Sequence, residues 1–265
     1  MRPGILDLIA RRVQIGLRLC WFLGADERQK YIKEWCCGNL VRFGLVAGLA
    51  GQAQLATAET FIVPLEHTNG WQFLSYRKIP PNTFRASVAG LEVGITNSAA
   101  PAIFPLTNPL HVTELRVSGR VSGALKMPGK QGDKGLDDYT VRVGLVGAGS
   151  RTLSWREKVI AAPWVKKLFG LAPRGVGISR IHFYNVGTDP RQVKRTRTHP
   201  LSDLMEETIL AVADARGDFA FTNRFEPALN VLAVWIACDG DDTKSSFAVT
   251  FNKVELETAR VSVEQ

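Results

Sequence analysis

The sequence of residues 229–257 is LNVLAVWIAC, DGDDTKSS, FAVTFNKVELE. The first run is apolar and rich in β-branched residues, the middle run is dominated by Asp, Gly and Ser, and the last alternates apolar and polar residues. Val, Ile and Phe favour strands, whereas Asp and Gly favour tight turns. This stretch therefore predicts two strands, 229–238 and 246–257, joined by a hairpin turn.

The same pattern extends outward along the chain. Short runs rich in Val, Ile, Thr and Phe recur between Gly, Pro, Asn and Asp clusters, which is typical of an all-β sandwich. We predict further strands at 61–65, 83–88, 91–96, 102–106, 112–121, 139–146, 178–184 and 208–212, with a bulge near Ser118-Gly119. Pro163 and Gly170 bracket a short predicted helix, and residues 201–207 are predicted to contain a turn of helix.

Residues 42–58 predict a secretory signal. Arg42 precedes an apolar Ala/Gly-rich run, and the segment closes on Ala56-Thr57-Ala58. We expect residues 1–58 to be a leader with a start set too far upstream and cleavage near Ala58, and residues 59–265 to be one periplasmic or secreted domain. The alternative is an amphipathic helix within residues 1–39 that belongs to the protein. The apolar run is shorter than the ~20 residues that span a bilayer, so we expect no stable membrane span in the mature chain.

The amino-acid composition limits the kinds of binding partner that we expect for the chain. The 265 residues carry a net charge of +8 and four Cys. Without residues 1–58 the chain has 25 basic and 21 acidic residues, and Cys238 is its one cysteine. An excess of +4 is too weak to indicate nucleic acid. A single cysteine excludes an intramolecular disulfide, so we expect Cys238 to be a small buried apolar residue.

Two acidic patches are the metal candidates. Asp239, Asp241 and Asp242 flank Gly240 and could present oxygens to Ca²⁺, although a solvated hairpin turn is the simpler interpretation. Asp133, Asp137 and Asp138 form the second patch. None of the four histidines lies in a metal-binding spacing, so no cofactor is certain, and no residue is assigned a catalytic role.

Basic and aromatic residues are the ligand candidates. Arg191, Lys194, Arg195 and Arg197 form a basic loop without the aromatic residues that stack on bases. Its alternatives are a plain solvated loop or a contact with an anionic cell-envelope component. Trp71, Trp155, Trp164 and Trp235 could stack on sugar rings, while core packing is the default for any buried Trp.

Three segments resemble an uncharacterised family of bacterial secreted proteins, a domain of unknown function. They are Asp137-Asp138-Tyr139-Thr140-Val141-Arg142-Val143, the run 232–246 with its Asp-x-Asp-x-Thr turn, and the closing strand 247–256. The resemblance implies a jelly-roll-like antiparallel β-sandwich, in which residues 155–177 are an insertion with one or two short helices. It also implies export.

Two functions follow as hypotheses. The first is a non-enzymatic module that binds a glycan or another cell-envelope component. The alternative is a polysaccharide hydrolase or lyase that uses Asp137, Asp138, Asp241 and Asp242, or Ca²⁺, since paired carboxylates carry out glycoside chemistry.

Overall fold

A computed structural model describes residues 59–200 and 202–259. The predicted leader, residues 1–58, lies outside the described residues. Eleven strands and two short helices make up the fold: β1 (Glu59–Ile62), β2 (Gln72–Phe73), β3 (Thr83–Ser87), β4 (Gly90–Thr96), β5 (Ala99–Gly123), β6 (Val141–Gly149), α1 (Trp155–Ile160), α2 (Pro163–Phe169), β7 (Gly177–Gly187), β8 (Thr196–His199), β9 (Ser202–Val212), β10 (Asp218–Asp239) and β11 (Ser246–Thr258).

The strands form a two-layered β-sandwich because β5 and β10 are long enough to belong to both layers. They pair along almost their whole length, with register shifts near residues 224–233. On one side of those shifts the strand order is β3-β4-β11-β5-β10, and on the other side β10 continues into β6-β7-β9-β8. We call these the first and second layers. All pairs are antiparallel except β7 with β9.

The main core lies between the layers. Along β10 the side chains alternate, so that Val234, Ile236 and Cys238 face inward and pack with residues of β4 and β11. Cys238 is a free, buried cysteine, as the sequence predicts.

The second layer is also buried on its other face, which we call the outer face. Trp235 of β10 and Phe183 of β7 point there and pack with Leu168 of α2. Both helices lie in the 155–177 insertion. The Ser154 side chain caps α1 and Glu157 bonds back to it, while Pro163 occupies the first turn of α2. Residues of this segment therefore cover the apolar outer face of the second layer.

Most of the predicted elements are confirmed. The predicted strands 102–106 and 112–121 are one strand, β5, and α2 matches the predicted helix. The bulge lies opposite Ser118-Gly119, with the extra residue Asn252 on β11. The predicted turn of helix at 201–207 is wrong, because residues 202–212 form β9. No helix within the described ranges is both long and apolar enough to cross a bilayer.

Candidate functional site

A cavity of about 1030 Å³ lies on the outer face of the second layer, beneath α1 and α2. The sheet supplies its floor from β6, β7 and β10, and the insertion supplies one side. The segments 132–138 and 239–242 supply further lining residues. A concave, mainly apolar space with a few clustered polar groups is the usual form of a ligand site.

Four rings line the apolar part of the cavity, and we call them the aromatic wall: Tyr76, Trp164, Phe183 and Trp235. Tyr76 meets Trp164 edge to face at 6.3 Å between ring centroids, and Trp164 meets Trp235 at 6.0 Å. Trp235 then meets Phe183 at 5.7 Å. Trp235 is 2% exposed, while Tyr76 and Trp164 are half-buried. The wall therefore runs from a rigid base to rings that a ligand can reach.

Gly144 explains how two large rings share the floor. In the register of the sheet it lies between Trp235 on β10 and Phe183 on β7. A Cβ at position 144 would lie 2.7 Å from the Phe183 ring, closer than van der Waals contact allows. The glycine thus leaves the space in which the Trp235 and Phe183 rings pack edge to face.

Charged groups also line the cavity, and we call them the polar wall: Asp137, Asp138, Arg142, His199, Asp239, Asp241 and Asp242. Arg142 is its centre. Its Nε donates to Asp239 Oδ2 at 2.5 Å, and its other nitrogens contact Glu207 and Asp137. The guanidinium also lies 4.3 Å from the centre of the Tyr139 ring, which adds a cation–π contact.

A second arginine belongs to the same network of ion pairs. Arg197 on β8 bonds to Asp137 and, from Nε at 2.7 Å, to Glu207 on β9. His199 Nε2 lies 2.9 Å from Asp137 Oδ2. Glu207 is buried beside Phe183 in the sheet. Its negative charge is stable there because the guanidinium groups of Arg142 and Arg197 flank it.

The acidic hairpin turn is fixed to the polar wall by Asp138. The Asp138 Oδ2 accepts from Thr243 N at 2.7 Å and from Thr243 Oγ1 at 2.6 Å, and Asp242 accepts from the Asp137 backbone N–H at 3.2 Å. The two acidic patches of the sequence therefore meet in one cavity.

The carboxyl groups of the polar wall differ in their pKa values. Burial, with the charges of Asp138 and Asp241, raises the pKa of Asp239 to about 7 despite Arg142 beside it. Burial and Asp138 also raise the pKa of Asp241. Burial acts in the same direction on Asp137, but the His199 hydrogen bond and the charges of Arg142 and Arg197 outweigh it and lower its pKa to about 2. Carboxyl groups with such different pKa values side by side mark functional sites.

The residues that lie close enough together to hold a metal ion are not those of the predicted Ca²⁺ site. Asp137, His199 and Glu207 have ligand atoms within 4.8 Å of one another. Arg142 and Arg197 already occupy the carboxylates of Asp137 and Glu207, and their positive charge opposes a cation. Of the predicted Ca²⁺ ligands Asp239, Asp241 and Asp242, Asp239 is bound to Arg142; Ca²⁺ at this turn stays a prediction.

The structure places the other predicted ligand residues in different environments. Trp164 and Trp235 line the cavity, and Arg197 supports the polar wall. Trp71 instead belongs to the main core, where its Nε1 donates to the Pro64 carbonyl at 2.8 Å. Trp155 is exposed on α1.

The rest of the predicted basic loop lies outside the cavity lining. Arg191 is paired with Asp189, and Arg195 donates to the Gln192 side chain. Lys194 adopts a φ of 70°. Arg191 lines a second, smaller cavity together with Asp189 and Gln192, and contact of this loop with an anionic cell-envelope component stays a prediction.

Sequence reasoning missed Tyr76, Arg142, Phe183, His199 and Glu207. One signal was present for Arg142: it is the charged residue in the otherwise apolar run 141–146. A buried strand tolerates such a residue only when it has charged partners.

No family model and no curated protein matches the chain, so the family resemblance on three segments stays a prediction. Among solved structures, the chain is similar to a xylan-binding module CBM15, with 10% identity, a TM-score of 0.34, and 78% of this chain and 100% of that one covered. It is also similar to the family 11 carbohydrate-binding module of the cellulosomal cellulase Lic26A-Cel5E of Clostridium thermocellum, with 8% identity, a TM-score of 0.38, and 79% and 99% covered.

Proposed function

We propose that this β-sandwich is a glycan-binding module and that the cavity beneath α1 and α2 is its binding site. The observation that carries the proposal is the meeting of the aromatic wall and the polar wall across one cavity. Sugars present an apolar C–H face and a rim of hydroxyl groups, so a protein site for them needs both surfaces at once.

The aromatic wall suits the apolar face of a sugar ring. Trp164 is held edge-on between Tyr76 and Trp235, and it remains half-buried. Aromatic rings bury large apolar areas with little loss of side-chain entropy. A ligand that stacks on Trp164 therefore meets a ring that is already fixed in position.

The polar wall suits hydroxyl groups, and its charge selects among glycans. Carboxylates accept from hydroxyl groups and guanidinium groups donate to them, and both bonds are stronger than those between neutral groups. The acidic residues that line the cavity outnumber the basic ones: Asp133, Asp137, Asp138, Glu157, Asp239, Asp241 and Asp242 against Lys134, Arg142 and Arg151. Like charges repel an anionic sugar, so we propose a neutral glycan.

Binding to a panel of neutral and uronic-acid polysaccharides, measured by affinity electrophoresis and calorimetry, tests the proposal. Trp164→Ala is expected to weaken binding at least tenfold, about 1.4 kcal/mol. Trp155→Ala is the matched control on the neighbouring helix, because Trp155 lies outside the cavity lining, and it should bind as wild type. Thermal unfolding checks that both variants are folded. Binding to no neutral glycan, or equal binding by both variants, would overturn the proposal.

The raised pKa values of Asp239 and Asp241 favour a second candidate, cleavage of the bound polysaccharide. Asp239, with a pKa of about 7, can keep its proton near neutral pH and serve as a general acid, and Asp241 is a second carboxyl group with a raised pKa in the same cavity. Reducing-end release from a bound glycan, lost in Asp241→Asn with binding retained, would support this. Binding without turnover by the wild-type protein would exclude it for that glycan.

We also propose that the protein acts in the periplasm or outside the cell. The support is the basic, apolar and Ala-x-Ala order of residues 42–58. Intact-mass analysis of the protein from its native host tests this, with a chain beginning near Glu59 as the expected result and an uncleaved chain as the contrary one.

A further inference from the structure

Whereas the neighbouring helix α2 buries Leu168, helix α1 has no buried residue. Three of its six residues are large and apolar: Trp155 is 74% exposed, Val159 65% and Ile160 81%. They are half of the six large hydrophobic residues that are exposed within the described ranges. Isolated exposed apolar residues are common, but a group of them marks an interaction surface.

The same insertion is strongly basic. Within residues 151–176 the sole acidic residue is Glu157, and the basic residues are Arg151, Arg156, Lys158, Lys166, Lys167 and Arg174, all of them exposed. Glu157 serves the cap of α1 by bonding to Ser154, and Arg151 pairs with Asp203 at 3.1 Å. The other five basic residues give this side of the molecule a positive charge that the cavity below it does not share.

Short distances unite the apolar and basic groups. Trp155 and Val159 share one face of α1 because they are four residues apart, and Arg156 and Lys158 lie on either side of that face of a helix about 9 Å long. Lys166 of α2 donates from Nζ to the Val159 carbonyl at 3.1 Å, which places a further cation at the end of α1. One flat partner can therefore contact the apolar and the basic side chains together.

We propose that α1 and the basic residues around it form a docking surface for an anionic phospholipid bilayer. The Trp155 and Val159 side chains, which lie outside the cavity lining, enter the headgroup region, where amphipathic rings are favoured, and the Lys and Arg side chains meet the lipid phosphates. Charge complementarity identifies this partner. Two apolar side chains on one short helix are also far from the ~800 Å² that each partner buries in a standard protein interface, whereas peripheral membrane binding combines a small apolar contact with several cations.

Flotation of the full chain with phosphatidylcholine vesicles, with and without phosphatidylglycerol, tests the proposal. We expect binding that needs phosphatidylglycerol and falls as salt is raised. The double variants Trp155→Ser/Val159→Ser and Lys158→Glu/Lys167→Glu are each expected to weaken it at least fivefold, the effect of about one basic residue at such a surface. Val88→Ser is the matched control, because Val88 is fully exposed on a distant turn, and it should bind as wild type.

All variants contain residues 1–58, so a contribution of that segment is equal in every arm. Binding that does not depend on phosphatidylglycerol, or that the α1 variants retain in full, would overturn the proposal. Self-association of the wild type that Trp155→Ser abolishes would overturn it as well, in favour of a second copy of the chain. Glycan binding by the α1 variants should be unchanged, so this result and that of the proposed function are independent.

Discussion

Replacing Arg142 by Met removes the central cation of the polar wall while keeping a side chain of similar length. Three carboxylates face Arg142, and Arg197 remains to compensate Asp137 and Glu207. Asp239 loses its ion pair. Removing one partner of a buried ion pair costs about 3–5 kcal/mol because the other charge is left uncompensated. We expect a loss of that size at pH 8, measured by urea unfolding with Trp fluorescence.

The loss should depend on pH in a defined direction. The pKa of Asp239 is about 7 in the folded protein against an ordinary value of 3.8, so the folded state holds a proton that the unfolded chain has lost between these values. Asp239 therefore makes the free energy of unfolding fall as pH rises through this window, by at most about 1.4 kcal/mol per pH unit. Without Arg142 the protonated form is favoured further, so Arg142→Met should cost less at pH 5 than at pH 8.

Two further variants separate this explanation from a general loss of packing. Asp239→Asn removes the titrating group, so its free energy of unfolding should vary less between pH 5 and pH 8 than that of the wild type. Arg120→Met breaks an ion pair with Asp218 at the surface, where solvent screens the charges, and should cost far less than Arg142→Met. Equal losses for the two arginine variants, or a loss for Arg142→Met that does not change with pH, would refute the reasoning.

Two other predictions concern the frame of the cavity. Leu168→Ala should lower the free energy of unfolding by about 2–5 kcal/mol, because Leu168 of α2 is 1% exposed where it packs on the sheet; the exposed Val159→Ala in the same insertion should stay within about 0.5 kcal/mol, and equal values in urea unfolding would contradict the packing of α2. Asp138→Ala should release the 239–243 turn, since Thr243 loses both of its bonds to Asp138, and limited proteolysis at that turn should become faster. The exposed Asp133→Ala should be cleaved at the wild-type rate, and no difference between these two would show that Asp138 does not hold the turn.

Local patterns in the sequence predicted much of the fold. β10 and β11 follow from apolar runs on either side of an Asp/Gly turn, and α2 follows from Pro163 and Gly170. β9 was predicted from the sequence only over residues 208–212, and its residues 202–207 were missed for a physical reason. Its outer face carries Met205, Glu207 and Ile209, and a glutamate among buried positions hides the alternation that identifies a strand.

The charge of Glu207 is stable there because Arg142 and Arg197 flank it. Those partners come from two other strands: Arg197 on β8 is 10 residues away along the chain, and Arg142 on β6 is 65 residues away. No short window of the sequence contains Arg142 together with the other two residues, so no local pattern could have shown that the three form one network.

The sequence by itself determined that residues 59–265 form a β protein with a single cysteine, two acidic patches, a short helical segment and several candidate tryptophans. Alternation, turn residues and composition are local properties, and each is visible in a short segment. Only the tertiary structure decided that the two acidic patches, Trp164 and Trp235 face one cavity, that Trp71 is core and that Trp155 is exposed. These outcomes depend on which faces of distant strands and helices are covered, and the pairing of β5, β6, β7, β9 and β10 across the sheet sets that.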